Sequence, residues 1–191
     1  MILQRTKLIC HRCNGSASYS VFKYVALIVV VAVCLCACTT HRQVRKKDVP
    51  SVSADMYVKG HSLSKRQRLM IEEACSWMGT PYRYGGAEKG KGTDCSGLVL
   101  RVYLDVTEIK LPRNSAKQAE FCNNIKAKDV RPGDLVFFAT GSDPKRVSHV
   151  GMMLDGESFI HASSSKGVTV TRLDNIWYSK RLLGFGRVPG M

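Results

Sequence analysis

Negative charge is scarce in this 191-residue chain, with 15 Asp and Glu against 29 Lys and Arg and a formal net charge of +14. The first 37 residues contain no acidic side chain, while carrying Arg5, Lys7, Arg12 and Lys23. Without that stretch the balance is still 25 basic to 15 acidic residues, or +10. Such a surface suits an anionic partner: nucleic acid, lipid headgroups or an acidic polymer. The chain has no helix-turn-helix, zinc finger or aromatic-basic RNA motif, so no nucleic-acid partner is expected. It also has no internal repeat, and no apolar run of the roughly 20 residues that a transmembrane helix needs. Hydrophobic residues make up 45% of the chain. That excludes wholesale disorder and leaves room for one domain plus an appendage.

The longest apolar run, Val25 to Cys36, follows a basic stretch and has the length of a signal-peptide core. It leads into Leu35-Cys36-Ala37-Cys38 and then polar Thr39-Thr40-His41-Arg42. Leucine at −3, a small residue at −1 and then cysteine resembles the bacterial lipoprotein processing site. Cys34 and Cys36 fit less well, because Val33 and Leu35 fill the position that needs a small residue. The resemblance implies cleavage before Cys38, its acylation (palmitate among the acyl groups), and attachment to a membrane. With Thr39 rather than aspartate next, it implies the outer membrane in a Gram-negative cell. An uncleaved anchor or a simple secretory peptide are the alternatives. The expected organisation is a signal peptide over 1–37, a basic tether over 38–61 and one folded domain over 62–191. Cys10, Cys13, Cys34 and Cys36 leave with the signal. Cys75, Cys95 and Cys122 then remain in the domain, where a Cys75–Cys122 disulfide is open.

Within the domain, Ser64-x-x-Gln67 reads as a capping box, opening a helix with Leu69, Ile71, Ala74, Cys75 and Met78 as its apolar stripe. A turn over 80–86 and a glycine- and lysine-rich loop over 87–93 follow. Asp94 reads as the N-cap of a second helix bearing Leu98, Val99, Val102, Tyr103 and Val106 on one face. A shorter helix is predicted over 115–123. The pattern then changes to strands at 135–138, 147–154, 158–162, 168–172 and 183–188. Helices first and then an antiparallel meander predict an α+β domain, with the helices packed on one side of the sheet.

Cys95 falls in the first turn of the second helix, where unpaired N–H groups and the helix dipole favour a thiolate. His149 starts an apolar strand, and His161 lies on the next. Adjacent antiparallel strands can bring both imidazoles to one sheet face, with His149 as general base and His161 orienting it. The backbone N–H of Cys95 and the Tyr82 hydroxyl are candidate oxyanion donors. Tyr82 reads equally well as a packing aromatic, and a buried cysteine with two core histidines is the plain alternative for the whole set. One cysteine and two histidines can also ligate zinc, but no fourth ligand stands in a tight motif. No metal or other cofactor is expected.

Pro81-Tyr82-Arg83-Tyr84-Gly85-Gly86, Asp94-Cys95-Ser96-Gly97-Leu98-Val99, Leu111-Pro112-Arg113, Arg131-Pro132-Gly133-Asp134-Leu135-Val136-Phe137-Phe138, Ser148-His149-Val150-Gly151 and Ile160-His161-Ala162 occur in this order. The set resembles the NlpC family of cell-wall cysteine peptidases over residues 64–189. The resemblance implies a papain-like α+β fold, with N-terminal helices on a five- to six-stranded antiparallel sheet. It implies a triad of Cys95, His149 and His161, with Tyr82 near the oxyanion and Asp94 and Ser96 helping to hold the polar end of the substrate. The implied substrate is the peptidoglycan stem peptide, cut between D-isoglutamate and diaminopimelate or lysine, and a monomer is expected. The lysine-rich 87–93 loop departs from the family pattern. A thiol amidase or acyltransferase on the same fold, or a non-catalytic wall-binding lipoprotein, are the competing functions.

Overall fold

Ser64 closes the predicted capping box. Its hydroxyl accepts the Gln67 N–H at 3.2 Å, and Gln67 Oε1 accepts the Ser64 N–H at 3.0 Å. The structure is a computed structural model that describes residues 63–191. The expected signal peptide, Cys38 and the tether lie outside the described residues. Helix α1 (Lys65–Cys75) buries Met70, Ile71, Ala74 and Cys75. Leu69, assigned to the stripe from sequence, is instead 44% exposed. At 100° per residue it lies about 160° around the helix from Ile71, on the solvent face.

The lysine-rich segment predicted as a loop is a small hairpin, β1 (Ala87–Glu88) with β2 (Gly92–Thr93). It leads through Asp94 into α2 (Cys95–Thr107), whose buried side includes Leu98, Val99, Val102 and Tyr103. Helix α3 (Ser115–Phe121) is capped by Asn114, which accepts the Lys117 N–H at 2.8 Å. It stops two residues short of the predicted end, because Cys122 turns extended and Asn123–Ile125 form strand β3. The backbone of that segment pairs with the last strand of the domain, and two asparagines have little helix propensity to oppose it.

Six antiparallel strands follow the order β3-β8-β4-β5-β6-β7. They include β4 (Leu135–Phe138), β5 (His149–Met153), β6 (Ser158–Ser163), β7 (Gly167–Arg172) and β8 (Leu182–Arg187). The predicted meander holds from β4 to β7. It fails at the end: the chain passes through a short helix, α4 (Ile176–Ser179), and returns to insert β8 between β3 and β4. Arg187 fixes that insertion with a forked pair to Asp134, Nε to Oδ1 and Nη2 to Oδ2, both at 2.8 Å.

Alternation along the strands gives the sheet two apolar faces. Leu135, Phe137, Val150, Met152, Ile160 and Ala162 pack with the α1 and α2 side chains, as the α+β reading requires. Val136, Phe138, Met153, Phe159 and Phe185 form a second cluster, against which Tyr178 of α4 packs. His149 and His161 have the parity of this second set and stack among Phe138, Phe159 and Tyr178. Cys75 and Cys122 are free thiols, so the bridge left open from sequence is not formed. Burial pushes their pKa values up, to about 11 and about 12.

Candidate active site

Asp94 organises one wall of the site. As N-cap of α2 it accepts the Gly97 N–H on Oδ1 at 2.7 Å, and its Oδ2 accepts the Gly85 N–H at 2.8 Å. Arg113 grips both oxygens, Nη1 to Oδ1 and Nη2 to Oδ2 at 2.8 Å, and the Ser96 hydroxyl donates to Oδ1 at 3.1 Å. Burial pushes the Asp94 carboxyl up. The hydrogen bonds from Arg113, Gly97 and Gly85, with the guanidinium charge, more than offset this and hold it below the usual carboxylate range. Arg113 also donates to the Ser96 hydroxyl at 2.9 Å and to the Gly86 carbonyl at 3.0 Å. The turn at Gly85–Gly86, the first turn of α2 and the lead-in to α3 are thus one hydrogen-bonded unit.

Cys95 opens α2 and is 8% exposed, at the floor of a cleft of about 610 Å³. Tyr82, Tyr84, Arg113, Asp143, Arg146 and Ser148 are among the residues that line it. The backbone N–H groups of Val150, Ser96 and Cys95 itself act on the thiol's pKa. These favour the thiolate, as expected of a helix start. Burial is the larger effect, however, and the thiol's pKa is raised rather than lowered. Tyr82 lies close enough for the charges of Cys95 and Asp94 to add to burial in raising its phenol pKa.

The two histidines meet nitrogen to nitrogen. His149 Nε2 lies 2.9 Å from His161 Nδ1, and the rings are nearly perpendicular with centroids 5.0 Å apart. His161 Nε2 lies 3.0 Å from the Thr171 hydroxyl. Burial pushes the His149 pKa down to about 4; burial and the neighbouring His149 push His161 down to about 3. Near neutral pH the pair is therefore uncharged. Among the described residues no group of three or more His, Cys, Asp or Glu could hold a metal ion.

These pKa values carry a stability consequence. In the unfolded chain histidine titrates near 6.5, whereas the folded pair resists protonation until about pH 4. As pH falls from 6.5 to 4 the unfolded state takes up protons that the folded state does not, so stability declines across that window. A loss of about 2–3 kcal/mol is expected for His149 from a shift of this size. Urea midpoints measured from pH 7 to pH 4 should fall accordingly, and the slope should flatten in a His149→Gln variant.

Sequence reasoning passed over three groups at the site. Arg113 lies in the Leu111-Pro112-Arg113 motif, and the capacity of a carboxylate beyond one N-cap bond is the signal that pairs it with Asp94. Thr171 and Tyr178 contact His161, and neither β-strand alternation nor the four-residue α4 marked them.

The sequence pattern of the NlpC/P60 family matches residues 79–187. The protein named Probable endopeptidase NlpC of Escherichia coli (strain K12) is 37% identical over 158 residues, covering 81% of this chain and 92% of its own length. Murein DD-endopeptidase MepS/Murein LD-carboxypeptidase of the same strain is 36% identical over 112 residues, 59% of this chain and 57% of that one. Among solved structures, an NLP/P60 family protein from Staphylococcus aureus, described as similar to lipoprotein, superposes with a TM-score of 0.59 at 32% identity. That match covers 67% of this chain and 43% of the other.

Proposed function

The chain belongs to the NlpC/P60 family, and on that premise we propose that it is a cysteine endopeptidase of peptidoglycan, with Cys95 as nucleophile, His149 as general base and His161 as the group that orients it. The observation that carries the reading is the His149 Nε2–His161 Nδ1 contact at 2.9 Å. With Nε2 occupied, Nδ1 is the nitrogen of His149 left for the thiol. His149 Nδ1 takes the thiol proton as sulfur attacks the scissile carbonyl carbon. The tetrahedral oxyanion collects the Cys95 backbone N–H and the Tyr82 hydroxyl. The imidazolium, held by its Nε2–H to His161, returns the proton to the leaving amine. Water, deprotonated by His149, then hydrolyses the thioester and frees the sulfur. Asp94 and Ser96 act at the substrate's polar end, in part by fixing Arg113 beside the cleft.

The bond assigned is that between D-isoglutamate and diaminopimelate or lysine in the stem peptide. The name of the MepS relative favours a second reading, in which the cross-link between two stems is cut. Purified peptidoglycan digested with the domain and analysed by mass spectrometry separates these. The proposed cut leaves a dipeptide on the sugar, whereas cross-link cleavage converts dimers to monomers with stems intact. Loss of the whole peptide, or acyl transfer, would move the assignment to an amidase or acyltransferase. Wall binding without any product would leave a non-catalytic wall-binding lipoprotein.

The enzyme is proposed to act as a monomer from the bacterial envelope, anchored through acylated Cys38 and, in a Gram-negative cell, at the outer membrane. The motif Leu35-Cys36-Ala37-Cys38 supports this. Among the described residues no helix is long and apolar enough to cross a membrane. Labelling with an alkyne fatty acid should mark the chain and be lost in Cys38→Ser.

A further inference from the structure

Four charged residues line the cleft: Asp94, Arg113, Asp143 and Arg146. The first two are spent on each other, through both carboxylate oxygens and both terminal guanidinium nitrogens at 2.8 Å. The other two are not. Among the described residues Asp143 and Arg146 enter no ion pair, and the Arg146 guanidinium makes no hydrogen bond. Asp143 Oδ1 accepts the Lys145 N–H at 2.9 Å, which leaves most of the acceptor capacity of the carboxylate open.

Both residues belong to one turn. The Arg146 N–H donates to the Asp143 carbonyl at 3.3 Å across Pro144 and Lys145, and such a turn keeps its end residues within about 7 Å at Cα. Lys145, between them, does not line the cleft. The loop that carries the turn is closed at its base by Ser148, whose hydroxyl accepts the Thr140 and Gly141 N–H groups at 2.7 and 2.8 Å. His149 follows directly. The turn thus shares the cleft with Cys95 and stands just ahead of the group proposed to serve the leaving amine.

Diaminopimelate and lysine, the two candidates for the residue bearing that amine, differ at the end of the side chain. Lysine ends in an ammonium. Diaminopimelate, in a stem that is not cross-linked, ends in a carbon carrying both an ammonium and a carboxylate. Opposite charges on one carbon of the substrate match opposite charges at the two ends of the turn. The guanidinium can take the carboxylate in a forked pair, while Asp143 takes the ammonium. A lysine would satisfy Asp143 alone and leave Arg146 without a partner.

We propose that Asp143 and Arg146 form the subsite for the side chain of the leaving residue, and that Arg146 makes the enzyme selective for stems bearing diaminopimelate. The inference rests on the proposed peptidase reading and chooses between the two residues which that reading leaves open.

Two synthetic peptides, L-Ala-γ-D-Glu-X-D-Ala with diaminopimelate or lysine as X, provide the test. Hydrolysis kinetics are measured on the active protein, and Kd by titration calorimetry in the Cys95→Ala background. The parent should favour the diaminopimelate peptide about tenfold in both, the size of one hydrogen-bonded charge pair. Arg146→Gln should lose that factor on the diaminopimelate peptide and leave the lysine peptide unchanged. Arg146→Lys, which keeps the charge without the fork, should retain part of the preference, and Asp143→Asn should weaken both peptides. Equal handling of the two peptides by the parent, or a preference that survives in Arg146→Gln, would overturn the proposal. If calorimetry shows the discrimination while the bond after D-isoglutamate stays intact, the subsite stands and the assignment of the bond falls.

Discussion

Cys95→Ala is expected to reduce stem-peptide hydrolysis by a factor on the order of 10⁴ or more, to the edge of detection, because members of a nucleophile–base unit fail together rather than additively. The substitution removes one sulfur at the floor of an open cleft. It leaves the Asp94 cap, the Arg113 clamp and the histidine pair with their own partners, so the melting temperature should move little. The raised pKa of the thiol sharpens the expectation. A protonated thiol needs a base for the proposed attack, the role proposed for His149. His149→Ala should therefore come close to Cys95→Ala in effect. Product release from purified peptidoglycan, read by mass spectrometry beside a thermal melt, is the measurement. A folded Cys95→Ala protein that still released fragments would remove Cys95 from the mechanism.

The second large effect is expected from a residue with no chemistry. A Cβ on Gly97 would lie 2.2 Å from the Gly86 carbonyl oxygen and 3.1 Å from Asp94 Oδ1 and Thr93 Oγ1. The nearest obstacle is backbone, which cannot rotate aside. Gly86 O also accepts the Asp94 N–H at 3.1 Å and Arg113 Nη2 at 3.0 Å, so moving it loosens the whole wall. Gly97→Ala should cost about 2–3 kcal/mol as an overpacked site. It should also cost about 10² in kcat/KM, because the first turn of α2 carries Cys95 and an ångström of misplacement has that price. Gly156→Ala is the control, since nothing lies within 4 Å of its Cβ position. Comparable losses in both variants would show that the Gly86 contact is not what matters.

How much of this was legible beforehand differs between elements. Both caps at Ser64 and Asp94 could be read, because an N-cap is a local device with a short sequence signature. The strands from 135 to 163 could be read because each is a short, mostly apolar run buried almost throughout, and the next because valine and threonine alternate along it. The Leu69 assignment failed because an apolar side chain is not a buried one unless its angle around the helix agrees. Strand β3 and the place of β8 were not legible, since pairing between residues 123–125 and 185–187 is a long-range choice that neither segment signals alone. At the site, Cys95, His149 and His161 stood out by residue type. The direction of the thiol's pKa shift did not, because helix position is local and burial is not. Tyr178 escaped for the same reason: a four-residue helix leaves no periodicity, and its contacts come from strands distant in sequence.

The strand order has a further consequence, for when the domain can exist. β8 lies inside the sheet, between β3 and β4, and spans Leu182–Arg187 of a 191-residue chain. While those residues are still within the ribosome tunnel, β3 has no neighbour and the flank of β4 that β8 will cover is open. Truncation before residue 182 would therefore remove an interior strand rather than trim an edge, and leave two unpaired borders prone to association with other chains. The sheet therefore closes only when β8 takes its place, and β3 and β4 stay without that neighbour until it does.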